Sequence, residues 1–321
     1  MLPRLFFGLV TLALVASGSS RAATFALYRS TDDGHSWTKA GRGIPPDLRT
    51  DALGEIGAMR LAGTERGLFV SGDDGQTWTR PLRSIPEDVK VTDFAVSGGR
   101  VYGATTRGVW ISADDGGSWA SVGGELVKTK ILSLTVAGGR IYAGTDGQGA
   151  WALREPAIGW EKLGAGLPER AQLFQFAVRD GSVFAALYVQ GVYRFDSTAR
   201  RWLPTAAERP LRLVSAEGIL FAGRNPGGVF TSHDGGNSWE NASAGLPDNA
   251  PTWCLASLGS TVLIGTRGES CLLRYEPLFQ SWRPSDKGLP AGGSPIAFHL
   301  QARSFLVSIL TAGTEAPIPR K

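Results

Sequence analysis

Beyond the first twenty residues the chain alternates short apolar stretches with clusters of Gly, Asp, Ser and Pro, and no run carries the periodicity of an amphipathic helix. Such a pattern predicts strands joined by tight turns. Residues 91–123 give the clearest unit: strand A at Val91–Val96, strand B at Arg100–Thr105, strand C at Val109–Ser112 and strand D at Ser118–Val122. Gly-containing turns separate them, so the unit reads as a four-stranded antiparallel meander. "GAMRLAGTERGLFVS", "GGRIYAGTDGQGAWAL", "DGSVFAALYVQGVYRF" and "EGILFAGRNPGGVFTS" align on it.

An eight-residue box closes the unit. "STDDGHSW" holds Asp32, Gly34 and Trp37; "SGDDGQTW" holds Asp73, Gly75 and Trp78; "SADDGGSW" holds Asp114, Gly116 and Trp119; "SHDGGNSW" holds Asp234, Gly236 and Trp239. With the tryptophan as a ruler, Trp37, Trp78, Trp119 and Trp160 are spaced by 41, and Trp202, Trp239 and Trp282 follow at 42, 37 and 43. Three boxes are worn: the acidic position is Glu155, Ser197 or Pro277, and the glycine position Ala157, Ala199 or Phe279. Only the tryptophan persists in all seven. The Asp can accept backbone N–H groups in a tight turn, the Gly can take a positive φ, and the Trp offers a large packing surface between sheets. A residue set repeated for architecture is not a reaction centre, so the box aspartates are read as structural.

A period near 40 with four strands per unit predicts an all-β, seven-bladed propeller. The first box follows residue 23 so closely that unit one has strand C at Phe25–Arg29 and strand D near Trp37 but no A or B. "SPIAFHLQ" (294–301) and "RSFLVSILTAG" (303–313) supply the missing pair. N-terminal outer strands and C-terminal inner strands then complete one blade and remove open edges.

Composition adds a compartment. "MLPRLFFGLVTLALVASGSSRAA" has a basic Arg4, an apolar run from Leu5 to Val15 and small residues at Ser20 and Ala22, the layout of a secretory signal cleaved near Ala22. The run is shorter than the ~20 residues of a membrane span. The expected organisation is therefore a signal peptide at 1–22 and a single propeller at 23–321, exported to the periplasm or medium, monomeric, with no transmembrane segment in the mature chain. Losing Arg4 and Arg21 lowers the formal charge from +4 to +2, too little to argue for nucleic acid. Export invites a disulfide between Cys254 and Cys271. The repeat puts them on the first and just before the third strand of one sheet, ~9–10 Å apart against the ~7 Å limit for a bridge. Bridged and free thiols both stay open.

The boxes resemble the Asp-box, or BNR, repeats of the sialidase-like propellers, and the match covers essentially the whole chain after residue 22. That superfamily includes sialidases, xyloglucan-cleaving hydrolases, sortilin-type receptors and seven-bladed photosystem II assembly factors, the last being nearest in blade number. The motif is specific for fold and unspecific for function. Sialidases of this kind carry an Arg-Ile-Pro motif before the first box, an arginine triad and a Tyr–Glu nucleophile pair. Here Arg-Ile-Pro is absent, and Tyr188 beside Glu169 reads as an ordinary loop tyrosine and surface acid. The xyloglucan-cleaving relatives place two carboxylates in a cleft between two propellers, whereas this chain has room for one; Asp51, Asp88, Glu169 and Asp248 read as solvated loop acids. His35, His233 and His299 form no ligand spacing, and no phosphate or dinucleotide fingerprint occurs, so neither metal nor cofactor is implied.

What remains is a non-catalytic protein- or glycan-binding module, with a glycoside hydrolase as the alternative. In a meander the B-to-C turns and D-to-A loops share one face and the boxes lie on the other. The residue preceding the conserved glycine of each B-to-C turn is Arg66, Arg107, Gln148, Gln190 and Arg267 in five units. These planar donors form the candidate binding band, suited to a protein or an anionic glycan partner.

Overall fold

The computed structural model describes residues 23–122, 124–154, 159–207, 209–224, 227–249, 251–266, 270–300 and 304–311. The proposed signal segment, Glu155, Ala157 and Arg267 lie outside the described residues. Seven antiparallel sheets form a ring in which strand A of each blade touches strand A of both neighbours. The chain is a seven-bladed β-propeller. In the third blade the strands span Val91–Ser97, Arg100–Thr105, Gly108–Ser112 and Ala120–Ser121, so the outermost strand is shorter than the sequence suggests.

The ring closes as expected. Thr24–Ser30 pairs along its whole length with Phe305–Thr311, which pairs in turn with Ser294–Leu300, while Thr38–Ala40 covers the outside. One blade contains strands from both ends of the sequence. In the next blade, Thr50–Ile56, Met59–Thr64 and Gly67–Ser71 form three full strands, and the fourth shrinks to one bridge between Val70 and Thr79. Pro81 explains this, because it has no N–H to continue the ladder.

The core is distributed over the seams. Successive blades enclose separate apolar clusters, such as Tyr142, Phe176, Phe195 and Trp202 between the fourth and fifth blades, and Trp37, Leu263, Phe305 and Val307 where the seventh meets the closing blade. Trp37, Trp78, Trp119, Trp160, Trp202 and Trp282 are buried, and Trp239 is half-buried. Each buried indole removes roughly 150–250 Å² from water, an upper-limit gain of about 4–6 kcal/mol.

The boxes build a small hydrogen-bonded turn. Asp114 Oδ1 accepts from Ser118 N at 2.8 Å and from Ser112 Oγ at 2.8 Å, Oδ2 accepts from Ser118 Oγ at 2.6 Å, and Ser112 Oγ accepts from Gly116 N at 2.9 Å. Asp32, Asp73 and Asp234 repeat the pattern. Hydrogen bonds from Thr77 and Ser238 hold Asp73 and Asp234 down to about 2. These carboxylates are spent on the turn.

The tryptophans also carry a bond that the sequence pattern did not disclose. The backbone N–H of Trp78, Trp119, Trp202, Trp282 and Trp37 donates to Arg42, Arg83, Ala165, Ala244 and Lys287 on the preceding D-to-A loop, at 2.8–2.9 Å. After four of those acceptors stands a glycine, in Gly43-Ile44-Pro45, Gly166-Leu167-Pro168, Gly245-Leu246-Pro247 and Gly288-Leu289-Pro290; Ser84-Ile85-Pro86 is the fifth loop. A Cβ on any of those glycines would lie 2.1–2.2 Å from the carbonyl oxygen of the following tryptophan. Only glycine lets the loop come that close.

A charged cluster locks the closing blade to its successor. Buried Arg60 pairs with Glu55 and Asp74 and donates from Nη2 to Ser304 Oγ at 3.0 Å, while Arg29 also pairs with Asp74. Cys254 and Cys271 are both buried free thiols.

Gly245→Ala should lose about 2–4 kcal/mol of stability, since the Cβ meets a backbone oxygen and φ is +85°. Gly259→Ala also has positive φ but meets nothing within 4 Å, and should lose only about 1–2 kcal/mol. Urea unfolding of both variants measures the difference; equal losses would show that the loop contact is unimportant.

Candidate functional site

The loop face is built from three positions per blade. The inner position precedes strand A: Arg49, Lys90, Lys130 and Gln172, whose carbonyls accept the N–H of Glu65, Thr106, Asp146 and Tyr188 in the B-to-C turns at 3.0–3.2 Å. The outer position is the turn residue itself. The third is the D-to-A loop, which accepts Gly67 N at Val89 O and Gly108 N at Thr129 O, fastening each turn to the next loop.

Arg66, Arg107, Gln148 and Gln190 occupy the same turn position on four successive blades, all exposed. Arg267 lies outside the described residues. Arg66 Nη2 is 3.2 Å from Asp47 Oδ2, and Arg107 Nη2 is 2.7 Å from Asp88 Oδ2, the acids standing two residues after Pro45 and Pro86 in equivalent loops. Each arginine thus brings its own counter-charge. Such exposed pairs are worth about 0–1 kcal/mol and leave most guanidinium donors free. The band is therefore rich in donors and modest in net charge.

The inner position was missed at the sequence level. Its signal was the residue immediately before strand A, in "LRTD", "VKVT", "TKIL" and "AQLF". Two aspartates gather these residues across seams. Asp51 Oδ1 is 2.7 Å from Arg49 Nε and its Oδ2 is 2.8 Å from Lys90 Nζ of the next blade. Asp146 Oδ2 is 2.8 Å from Lys130 Nζ, and its Oδ1 accepts from Gln172 Nε2 of the next blade at 2.5 Å. Asp51 and Asp88 are thus held by cations, while Glu169 and Asp248 are exposed on their loops.

Deeper in, strand A has an unpaired inner edge in every blade, and side chains answer it. A bulge near the start of strand A, between Val91 and Asp93 in the third blade, is repeated in five others. In the third to sixth blades it turns polar residues toward the next blade. Thr92 Oγ1 donates to Ile131 O, Asp93 Oδ2 accepts from Leu134 N, Gln175 Oε1 accepts from Leu213 N, and Arg212 Nε donates to Trp253 O. Burial pushes the Asp93 carboxyl up to about 6, against the opposing N–H groups of Leu134 and Phe94 and the charge of Arg212. Burial likewise pushes the Cys254 thiol up to about 12. Among the described residues no trio of His, Cys, Asp or Glu is placed to hold a metal ion, and no helix is long and apolar enough to cross a membrane.

With this geometry established, comparison with known proteins gives the fold alone. No family model and no curated protein matches the chain. Among solved structures it is similar to YCF48 bound to D1 peptide, with a TM-score of 0.66 and 16% identity over 85% of this chain and 96% of that one. The extracellular domain of BT4673 from B. thetaiotaomicron gives 0.62 and 15% over 76% of this chain and 37% of that one. The GH74 xyloglucanase from Xanthomonas campestris gives 0.63 and 17% over 90% and 56%. The chain thus spans well under two thirds of the last two.

Asp93 makes a pH prediction. Its folded pKa stands above the unfolded value, so between about 4 and about 6 the native state holds a proton that the unfolded chain releases. Stability should fall by about 2–3 kcal/mol as pH rises through that window, and stay level in this respect above it. Asp93→Asn should flatten the native protein's stability profile from pH 4 to 6.5 in urea titrations. An unchanged slope would remove Asp93 as the cause.

Proposed function

We propose that this chain is an exported Asp-box repeat propeller, processed near Ala22, that binds a partner on its loop face and performs no chemistry of its own. The observation that carries this reading is the recurrence of Arg66, Arg107, Gln148 and Gln190 at one exposed position on successive blades. A rigid ring that presents planar donors at regular intervals suits an extended partner better than a small molecule. We read that partner as an acidic protein segment, whose carboxylates would exchange with Asp47 and Asp88 for the arginines. YCF48, a propeller of similar shape solved with a peptide bound, supports the protein class by analogy of form. The hydrolase alternative is weakened because Asp51, one of the loop acids, is held between Arg49 and Lys90.

Arg66, Arg107 and Arg267 changed together to Ala should leave the fold intact and abolish capture of acidic proteins in a pull-down from the native compartment, a loss of tenfold or more. Retention of the full partner set would sink the arginine reading, and binding only to sulfated glycans would replace the protein class. Export has a separate check. Intact mass of material from the periplasm or medium should correspond to a chain beginning near Ala23, and membrane-bound protein retaining residues 1–22 would refute it.

A further inference from the structure

The fifth blade departs from its neighbours on this face. Its B-to-C turn reads Tyr188-Val189-Gln190, where the third blade has Thr106-Arg107 and the second Glu65-Arg66. Tyr188 is 42% exposed and Val189 60% exposed, an apolar pair among otherwise polar turns. Val189 sits at φ +53°, a left-handed conformation that a β-branched residue rarely adopts. The Tyr188 ring is backed by Phe174, with centroids 5.3 Å apart and planes inclined at 33°. One aromatic face is thus braced from behind.

Beside the plate lies a fixed polar group. Gln172, whose carbonyl accepts Tyr188 N at 3.0 Å, reaches from the fifth blade to Asp146 on the fourth, which also holds Lys130. Counting valences, Asp146 keeps acceptor sites on both oxygens, Lys130 keeps two of its three donors, and Gln172 keeps its carbonyl oxygen and one N–H. The carboxylate and the ammonium cancel, so the group offers donors and acceptors with no net charge.

We propose that the seam between the fourth and fifth blades is a subsite for a neutral hexopyranose within a glycan chain. A pyranose has an apolar face of axial hydrogens and a rim of hydroxyls that both donate and accept. The braced Tyr188 ring matches the face, and Asp146, Gln172 and Lys130 match the rim. An anionic sugar would gain nothing from a neutralised pair, and a peptide strand would need a free sheet edge at the turn, whereas Ser182–Leu187, which leads into it, is laddered on both sides and the bare edge of Leu173–Arg179 faces the channel. The subsite uses none of the turn arginines, so it stands or falls independently of the protein-binding reading.

Calorimetric titration of the mature protein with cellohexaose, mannohexaose and chitohexaose tests it, with polygalacturonate as the anionic probe. At least one neutral hexasaccharide should bind in the millimolar range or tighter, Tyr188→Ala should weaken it tenfold or more, and Tyr188→Phe should retain it. Gln172→Ala, which leaves the turn sequence untouched, should also weaken it, so a misfolded Tyr188→Ala protein would not spare the proposal. The arginine triple variant should bind the sugar as the native protein does. Failure of all three neutral probes, binding to polygalacturonate alone, or full affinity in both Tyr188→Ala and Gln172→Ala would overturn the subsite.

Discussion

The structure depends on one contact: the tryptophan at the end of each box against the loop that leaves the preceding blade. A propeller has no single core, so its stability must be assembled seam by seam, and each seam needs a large apolar body as well as a directional bond to fix the angle between blades. The tryptophan supplies both. Its backbone N–H meets the loop carbonyl in five blades, and the indole N–H finds a second acceptor. In Trp78, Trp119 and Trp239 that acceptor is the glycine carbonyl of the same box, at 2.8–3.2 Å. In Trp160, Trp202 and Trp282 it is a carbonyl of the preceding blade, Val122, Leu163 or Ala242, at 2.7–2.9 Å. The second group belongs to the worn boxes, so a box that has lost its turn chemistry still ties its indole across the seam. Trp37 does so too, to Ser285, although its box is intact. The closing seam therefore has the version of the tie that crosses between blades.

Rigid seams leave the inner edges to be managed. Strand A has a neighbour on one side only, and its outward N–H and C=O groups would otherwise face the channel unpaired. In the third to sixth blades the bulge answers this by turning a polar side chain toward the next blade, where it meets a backbone group. The chemistry varies with position: an acid at Asp93, an amide at Gln175, a guanidinium at Arg212. A stitch is needed at each place and no particular functional group is. Burial then leaves the Asp93 carboxyl pushed up to about 6, a by-product of stitching that has no need of a catalytic explanation.

Much of this was legible from residues alone, for physical reasons. The tryptophan ruler, the turn glycines and the split blade follow from local rules of strand, turn and repeat, and residues 24–30 and 305–311 pair as the pattern requires. The Gly-Ile-Pro and Gly-Leu-Pro loops were also written in the sequence, with Gly43, Gly166 and Gly245 standing 35 to 37 residues before Trp78, Trp202 and Trp282. Their meaning was hidden because it is a contact between units, visible only once neighbouring blades are side by side. The turn positions of Arg66, Arg107, Gln148 and Gln190 could be counted off, whereas their partners Asp47 and Asp88 could not, because loop and turn meet only through the curvature of the ring. Blade two shows the opposite case: Pro81 was available to forbid a full fourth strand, and the repeat pattern overrode it.

Those aspartates change how the face can work. A band of bare arginines would attract any polyanion and would be governed by long-range charge, which salt screens over about 8–10 Å. With Asp47 and Asp88 in place, and with Asp51 and Asp146 offsetting two of the three inner cations, most of the charge at these positions is compensated locally. Selection must then come from directional bonds made at short range, from groups already oriented by their neighbours. Preorganised donors and acceptors lose little entropy on binding, and a wrong partner gains little attraction at a distance. The same reasoning explains why an exposed, backed tyrosine matters here more than it would beside bare charges: on a neutralised surface, shape and stacking decide what stays bound.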